Sequence, residues 1–244
     1  MSQNQLLKQH TPSTSQTLFP LNLRNINQLF PGFTLGDFAV IEGSSSVTSL
    51  TSLLCVRAQL AKQLGGLNSN VVFIDGGNTF RLYQITRLAQ LHQLNPKQVL
   101  DNIYISRAFT AYQLSTLIMD KLKAAIQQFR AKIVIISDIS GFFLDNALSD
   151  YEAQRVFCQV TTYLANFARE NQIILIATNP PHQNTKRNAY LENLVHQRAG
   201  IVLSLGQTAY ARTVSLKKHP CLKLGSIELP STNVTLTDYI GERA

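Results

Sequence analysis

Residues 71–118 read VVFIDGGNTFRLYQITRLAQLHQLNPKQVLDNIYISRAFTAYQLSTLI. Two apolar runs of strand type, VVFID at 71–75 and NIYIS at 102–106, enclose a segment with helical spacing of apolar residues at 81–92. Pro96 marks a turn between that segment and the second run. Strand, helix and strand in this order predict a βαβ unit, in which the two strands lie parallel in one sheet.

The same alternation continues on both sides of this stretch. Further strand-like runs lie at 38–42, 133–138 and 173–178, and further helical patterns lie at 48–64, 111–129 and 150–170. Continuous Val and Ile runs are typical of a parallel sheet that is covered by helices on both faces. After residue 180, GIVLSL, TAYARTVSLKK and LKLGSIEL predict short antiparallel strands joined by turns. We therefore predict an α/β fold with a mostly parallel sheet flanked by helices and antiparallel C-terminal strands.

The composition is that of a folded domain. The chain has 244 residues, of which 45% are hydrophobic and 15% are charged, enough to bury a large core. Residues 1–20 are rich in Gln, Ser and Thr and lack periodicity, so we predict a flexible N-terminal arm and a single core domain over 21–244.

Several classes of function are disfavoured by the composition. No apolar run approaches the roughly 18–20 residues that span a bilayer, and the N-terminus lacks the apolar core of a signal peptide. We therefore expect a cytoplasmic protein without a membrane partner. The three cysteines are scattered and form no CxxC pair, which indicates neither a disulfide framework nor a metal site.

The charge balance favours a polyanionic partner. Lys and Arg number 22 against 14 Asp and Glu, a formal net charge of +8. A basic surface of this kind is typical of nucleic-acid-binding proteins, although a soluble protein can also be basic without such a partner.

The stretch 38–54, FAVIEGSSSVTSLTSLL, has the layout of a phosphate-binding loop, with a strand, a glycine and then a helix. When the motif GxxxxGK[ST] is aligned on Gly43, Thr48 takes the place of the second glycine. Ser49 then stands where the lysine belongs, and Leu50 stands where the magnesium-binding hydroxyl belongs. The layout of a nucleotide site is present, but the side chains that neutralise phosphates are absent.

Two further strand ends carry polar residues, at the edge of a parallel sheet where ligands bind. The run IVIISD at 133–138 ends in Asp138, as a Walker B strand ends in the carboxylate that holds magnesium. An aspartate that simply terminates a strand is the alternative. The run ending in Thr178 and Asn179 is followed by two prolines, which impose an extended exit.

Together these motifs resemble the core of RecA-type recombinases, and most closely their archaeal and eukaryotic branch with its paralogs. The resemblance covers residues 21–218. Its most specific part contains Asp75, the Thr-Phe-Arg run at 79–81, Pro96 and the Arg-Ala-Phe run at 107–109. It implies a RecA-like P-loop NTPase core and a role in DNA recombination and repair.

The departures from the family pattern fall on the ATPase residues. Gly77 stands where the family has its catalytic glutamate, and Pro180 stands where it has the glutamine that senses the γ-phosphate. Loss of these groups and of the lysine removes water positioning and charge stabilisation. We therefore expect no catalytic residues, a vestigial nucleotide site at Gly43, Thr48, Ser49 and Asp138, and no cofactor, with bound ATP and magnesium as the alternative.

In the family, DNA follows the loops after the Walker B strand and after the next strand. Here the second of these regions supplies candidate DNA-binding residues, namely Lys186, Arg187, Tyr190 and Arg198. A second basic cluster contains Arg212, Lys217 and Lys218. A solvated loop and a charged sheet edge that prevents aggregation are the respective alternatives.

Three functions are compatible with these residues. The first is a catalytically degenerate recombinase paralog that binds DNA or assists another RecA-family protein or a second copy of itself. The second is a pseudo-ATPase subunit that serves as a protein-interaction scaffold without contacting DNA. The third is a true DNA-dependent ATPase with a non-standard phosphate loop.

Overall fold

A computed structural model describes residues 18–23, 26–44, 46–207 and 212–229. Eight strands form one sheet in the order β3-β2-β4-β5-β1-β6-β7-β8. The strands are β1 Phe38–Gly43, β2 Asn70–Asp75, β3 Ile103–Arg107, β4 Ala131–Ser137, β5 Ile174–Asn179, β6 Ile201–Gln207, β7 Arg212–Lys218 and β8 Gly225–Leu229. The first six strands are parallel, and β7 and β8 are added antiparallel to β6. This confirms the predicted fold class.

Seven α-helices cover the sheet in the described part of the chain. They are α1 Ser46–Arg57, α2 Leu82–Leu91, α3 Pro96–Asp101, α4 Ala111–Thr116, α5 Leu122–Gln128, α6 Asp150–Asn171 and α7 Lys186–Arg198. A π-helical turn at Leu117–Lys121 joins α4 to α5. Every described helix is too short or too polar to cross a membrane.

The apolar runs of the sequence form two cores, one on each face of the sheet. Alternate residues of a strand point to opposite faces, so Val71 and Phe73 of β2 pack with α1, α2 and α3. Val72 and Ile74 pack on the other face with α4, α5, α6 and α7. Burial on both faces explains why these strands read as continuous apolar runs.

Several predicted boundaries differ from the structure. Helix α1 begins at Ser46, two residues before the predicted start, and β4 ends one residue before the predicted end at Asp138. Helix α7 begins at Lys186. The side chain of Thr185 caps α7 by accepting the N–H of Asn188.

The predicted N-terminal arm falls mostly outside the described residues, which exclude 1–17. Within its last part, Phe19 is buried, and its backbone N–H donates to the carbonyl of Phe33 at 2.7 Å. Phe19 therefore packs with the core.

Candidate nucleotide and nucleic-acid site

The backbone turns tightly where β1 ends. Gly43 has a φ of +108°, and a Cβ atom there would lie 2.1 Å from the carbonyl oxygen of Leu205 in β6. The N–H of Ser44 donates to that same oxygen at 2.8 Å. Gly43 is therefore required by the approach of two strands, independently of any ligand.

The residues that align with the phosphate-loop motif lie in a helix. Because α1 begins at Ser46, Thr48 and Ser49 belong to its first turn. In a phosphate loop the residues between the two glycines form the turn that cradles the phosphates, and the lysine and hydroxyl positions begin the helix. The N–H of Val47 already donates to the carbonyl of Ser44 at 3.0 Å.

The hydroxyl groups of this turn bond within the protein. Gln84 of α2 donates to the Oγ of Ser49 at 2.9 Å and accepts from Ser52 at 3.2 Å. Thr51 and Ser52 both donate to the carbonyl of Thr48 at 3.0 Å. These contacts attach α1 to α2. The cavity beside Ser46 and Leu50 has a volume of about 20 Å³, room for about one water molecule.

Strand β4 ends at Ser137, so the prediction that Asp138 ends the strand is wrong by one residue. The Oγ of Ser137 donates to the buried carboxylate of Asp75 at 2.8 Å and accepts the N–H groups of Gly76 and Gly77 at 3.1 and 3.2 Å. Asp138 leaves the strand with a φ of +48°.

The carboxylate of Asp138 joins two loops. One oxygen accepts the N–H of Gly141, in the loop after β4, at 3.0 Å. The same oxygen lies 2.8 Å from Nε2 of His182, in the loop after β5. No local sequence pattern predicts this contact, which joins residues 44 positions apart.

Asp138 also occupies the space beside Gly77. A Cβ atom on Gly77 would lie 2.7 Å from the Cβ of Asp138. Gly77, which aligns with the family's catalytic glutamate, therefore has no side chain, and the carboxylate of Asp138 lies beside it.

Asp75, at the end of β2, is fully buried and joins three strands. Its carboxylate accepts the backbone N–H of Thr79 and the hydroxyl of Ser137, each at 2.8 Å. Arg107, at the end of β3, donates to the other oxygen at 3.1 Å. This set gives Asp75 and Arg107 of the pattern a structural role in a polar junction between β2, β3 and β4.

A polar cleft of about 480 Å³ lies between the loops after β4 and β5. Its lining residues are Leu144, Asn146, Asp150, His182, Gln183, Thr185, Lys186 and Arg187. Lys186 is exposed at the first position of α7. Arg187 instead donates to the carboxylate of Asp150 and to the carbonyls of Asp145 and Leu148 at 2.5, 2.7 and 2.8 Å.

The other predicted basic residues lie at separate places. Lys217 donates to Glu42 at 2.7 Å, and Lys218 donates to the carbonyls of His196 and Gln197 at the end of α7 at 2.7 and 3.0 Å. Arg212 lines the small cavity beside α1. The structure thus does not bring all the predicted basic residues into one patch.

Glu42, the residue before Gly43, is the centre of a charged cluster. Its carboxylate lies 2.7 Å from both Nε2 of His196 and Nζ of Lys217. Burial would raise the pKa of Glu42, but hydrogen bonds from His196 and Lys217 outweigh burial and hold the pKa at about 2. The cluster attaches β1 to β7 and α7.

Tyr190 and Arg198 border a second, larger depression, which we call the α6 groove. It has a volume of about 860 Å³ and is lined by Met119, Tyr151, Gln154, Arg155, Cys158, Gln159, Thr162, Tyr163, Asn166 and Tyr190. The α6 members recur at helical spacing and form one exposed stripe of that helix. Arg198 contacts the Sγ of Cys158 at 4.0 Å.

No group of three His, Cys, Asp or Glu side chains within the described ranges is placed to hold a metal ion.

Comparison with known proteins identifies the family. The Rad51 family model matches residues 35–216, which is more than half of the chain. The chain belongs to the Rad51 family. It is 30% identical over 178 residues to meiotic recombination protein DMC1 homolog A of Oryza sativa subsp. japonica, covering 72% of this chain and 50% of that protein. It is 28% identical over 141 residues to DNA repair and recombination protein RadA of Cenarchaeum symbiosum (strain A), covering 57% of this chain and 35% of that protein.

The chain thus spans half or less of the length of these curated relatives. Two of the positions at which the chain departs from the motif pattern make internal contacts. Ser49 accepts a hydrogen bond from Gln84, and Gly77 lies against the side chain of Asp138.

Proposed function

We propose that this chain is a recombination and repair factor whose RecA-like core works without hydrolysing nucleotide. The observation that carries the proposal is Ser49 at the lysine position of the motif, where its hydroxyl accepts a hydrogen bond from Gln84 at 2.9 Å and supplies no positive charge for a phosphate. The names of its relatives, a RadA and a DMC1 homolog, support the process in which the factor acts.

Calorimetry with ATP and magnesium tests the nucleotide part of this proposal. The expected result is no heat of binding and no phosphate release, with or without single-stranded DNA. The third function considered above, a DNA-dependent ATPase, would be supported instead by turnover that the Asp138→Ala variant abolishes.

The polar cleft is the surface that we assign to nucleic acid. Lys186 is exposed at its mouth, and His182 and Thr185 supply further donors. Phosphate oxygens are bound by such cations and hydroxyls, and binding of this kind weakens as salt is added. Each guanidinium nitrogen of Arg187 already donates one hydrogen bond within the protein, so Lys186 is the principal phosphate contact.

Fluorescence anisotropy with a labelled single-stranded oligonucleotide tests this assignment. Affinity should fall steeply with salt, and Lys186→Ala should weaken binding severalfold and reduce the salt slope by about one. Lys97→Ala is the matched control, because Lys97 is equally exposed but lies on α3, over the opposite face of the sheet. No binding by the wild-type chain at low salt would contradict the assignment.

The α6 groove favours a second candidate function, binding of a protein partner. Its α6 stripe runs from Tyr151 to Asn166, a length of about 22 Å at 1.5 Å per residue. Tyr, Met and Arg are the side chains enriched in such interfaces.

Arg155 lies near one end of the groove, whereas Asp120 and Glu170 act electrostatically on Tyr163 toward the other end. We propose an amphipathic helix of a Rad51-family partner as the occupant, with its negative C-terminal end toward Arg155.

Binding of a full-length Rad51-family recombinase, measured by sedimentation without DNA, tests this candidate. Tyr151→Ala should weaken the complex tenfold or more, because exposed aromatic anchors dominate interfaces. Tyr83→Ala is the control, since Tyr83 is similarly exposed on α2. Equal affinity of the Tyr151 variant and the wild type would contradict the groove as the binding surface.

A further inference from the structure

The loops that form the polar cleft are held together by a contact between side chains. Nε2 of His182 lies 2.8 Å from an oxygen of Asp138, and both side chains are largely buried, with 21% and 14% of their surface exposed. His182 precedes α7 by only a few residues, and Asp138 directly follows β4. The contact therefore determines how the start of α7, with Lys186, sits relative to the loop after β4.

Three backbone positions are adapted to this one carboxylate. Asp138 itself has a positive φ of +48°, which costs energy for a residue with a side chain. A Cβ atom on Gly77 would lie 2.7 Å from the Cβ of Asp138, and one on Gly141 would lie 2.5 Å from its Oδ2 atom. Two glycines and a left-handed aspartate are thus needed to place the carboxylate opposite His182.

The charged groups around His182 come from three elements. Asp138 at the end of β4 is bonded to it, Glu192 lies on α7, and Asp150, Lys186 and Arg187 line the same cleft. Arg187 is paired with Asp150. The hydrogen bond to Asp138 raises the pKa of His182, and the charges of Asp138 and Glu192 add to this against the opposing effect of burial.

We infer that Asp138 and His182 are a positioning pair that holds the polar cleft in its binding geometry without a nucleotide, and that the pair tightens when His182 is protonated. The inference rests on the proposed function, because it assigns a purpose to the cleft that contacts nucleic acid. The contact between Asp138 and His182 joins the segments that follow β4 and β5. These segments lie at the sheet edge where ligands of α/β proteins bind.

The direction of the pH dependence follows from the raised pKa. His182 binds its proton more tightly in the folded cleft than in an open loop, so the charged contact is complete below the ordinary pKa of 6.5. It is lost as the pH rises through the higher folded value. The cleft should therefore be held more firmly in mildly acidic solution than at alkaline pH.

Hydrogen exchange of the chain without nucleic acid tests the pair directly. In the wild type, protection factors of amides 139–144 and 182–188 should fall as the pH rises, and NMR should place the pKa of His182 above its ordinary value. Asp138→Asn keeps the shape but removes the charge. It should lower that pKa and reduce protection about tenfold at acidic pH, since a charge-assisted hydrogen bond becomes a neutral one.

Two further variants distinguish a positioning role of the Asp138–His182 pair from a purely structural one. His182→Gln retains an N–H donor but cannot titrate, so it should keep the loops protected with no pH dependence. Asp101→Asn, an exposed site at the end of α3, is the charge-matched control and should behave as the wild type. Equal protection in the wild type and the Asp138→Asn variant, or an ordinary pKa for His182, would overturn the inference.

The experiment also separates this inference from the proposed function. If the exchange results hold but the wild type binds no oligonucleotide, the pair exists and the nucleic-acid assignment fails. If the wild type binds, and Asp138→Asn changes neither protection nor the pH profile of binding, the pair is not a positioning device.

Discussion

The Cβ atom that a side chain at position 77 would need lies 2.7 Å from the Cβ atom of Asp138. Real Cβ atoms do not approach other atoms so closely. A side chain at position 77 is therefore incompatible with the observed position of the Asp138 side chain. The Rad51-family pattern has a glutamate at position 77. In this chain that volume is occupied by the side chain of Asp138, which follows the neighbouring strand β4.

Gly77→Glu should therefore destabilise the protein and create no ATPase. Overpacking and repulsion between two carboxylates should cost about 1–3 kcal/mol in the free energy of unfolding, measured by urea denaturation. The double variant Gly77→Glu with Asp138→Gly should recover part of this loss. A single variant as stable as the wild type would show that Asp138 can move aside.

Restoring the phosphate-loop residues should also fail to restore ATP binding. In the triple variant Thr48→Gly, Ser49→Lys and Leu50→Thr, the changed residues lie in α1, where Ser49 accepts a hydrogen bond from Gln84 and Leu50 is buried. We expect a loss of stability of about 2–4 kcal/mol, because a glycine enters a helix and a buried leucine is lost. Thermal unfolding and calorimetry with ATP check the two parts, and ATP turnover by this variant would contradict the prediction.

Lys186 and Arg187 should respond oppositely to substitution, although they are adjacent and both basic. Arg187→Ala removes three hydrogen bonds to the loop before α6 and should lower the free energy of unfolding by about 2–3 kcal/mol. Arg187→Lys should rescue little, since lysine lacks the planar fork of donors. Lys186→Ala should leave the melting temperature unchanged and affect only nucleic-acid binding. A stable Arg187→Ala protein with impaired binding would reverse these roles.

The Glu42 cluster should make stability depend on acidic pH. The folded pKa of about 2 lies below the ordinary value of 4.5, so the stabilisation is complete above pH 4.5 and is lost as the pH falls toward 2. Glu42→Gln should be less stable than the wild type by about 1–2 kcal/mol at neutral pH. The difference should vanish at the acidic end.

Unfolding by urea between pH 6 and pH 2 measures this dependence, with Glu228→Gln on the exposed side of β8 as the control. A Glu42 variant whose stability parallels the wild type over this whole range would contradict the assigned role of His196 and Lys217.

The amino-acid sequence by itself determined the fold. The apolar runs and the helical spacing between them predict the parallel strands and the helices, and the antiparallel character of the last strands, because these patterns depend on neighbours a few residues apart. The sequence also determined which residue types stand at 48, 49, 77 and 180, and the expected departures from the family pattern rest on these residues.

Only the tertiary structure decided what those positions do instead. Asp138, which follows β4 with a φ of +48°, lies beside Gly77 and contacts His182. Arg187, Lys217 and Lys218, which read as free cations in the sequence, find partners on distant segments. Such contacts depend on which loops the sheet order brings together, and no local periodicity encodes that proximity.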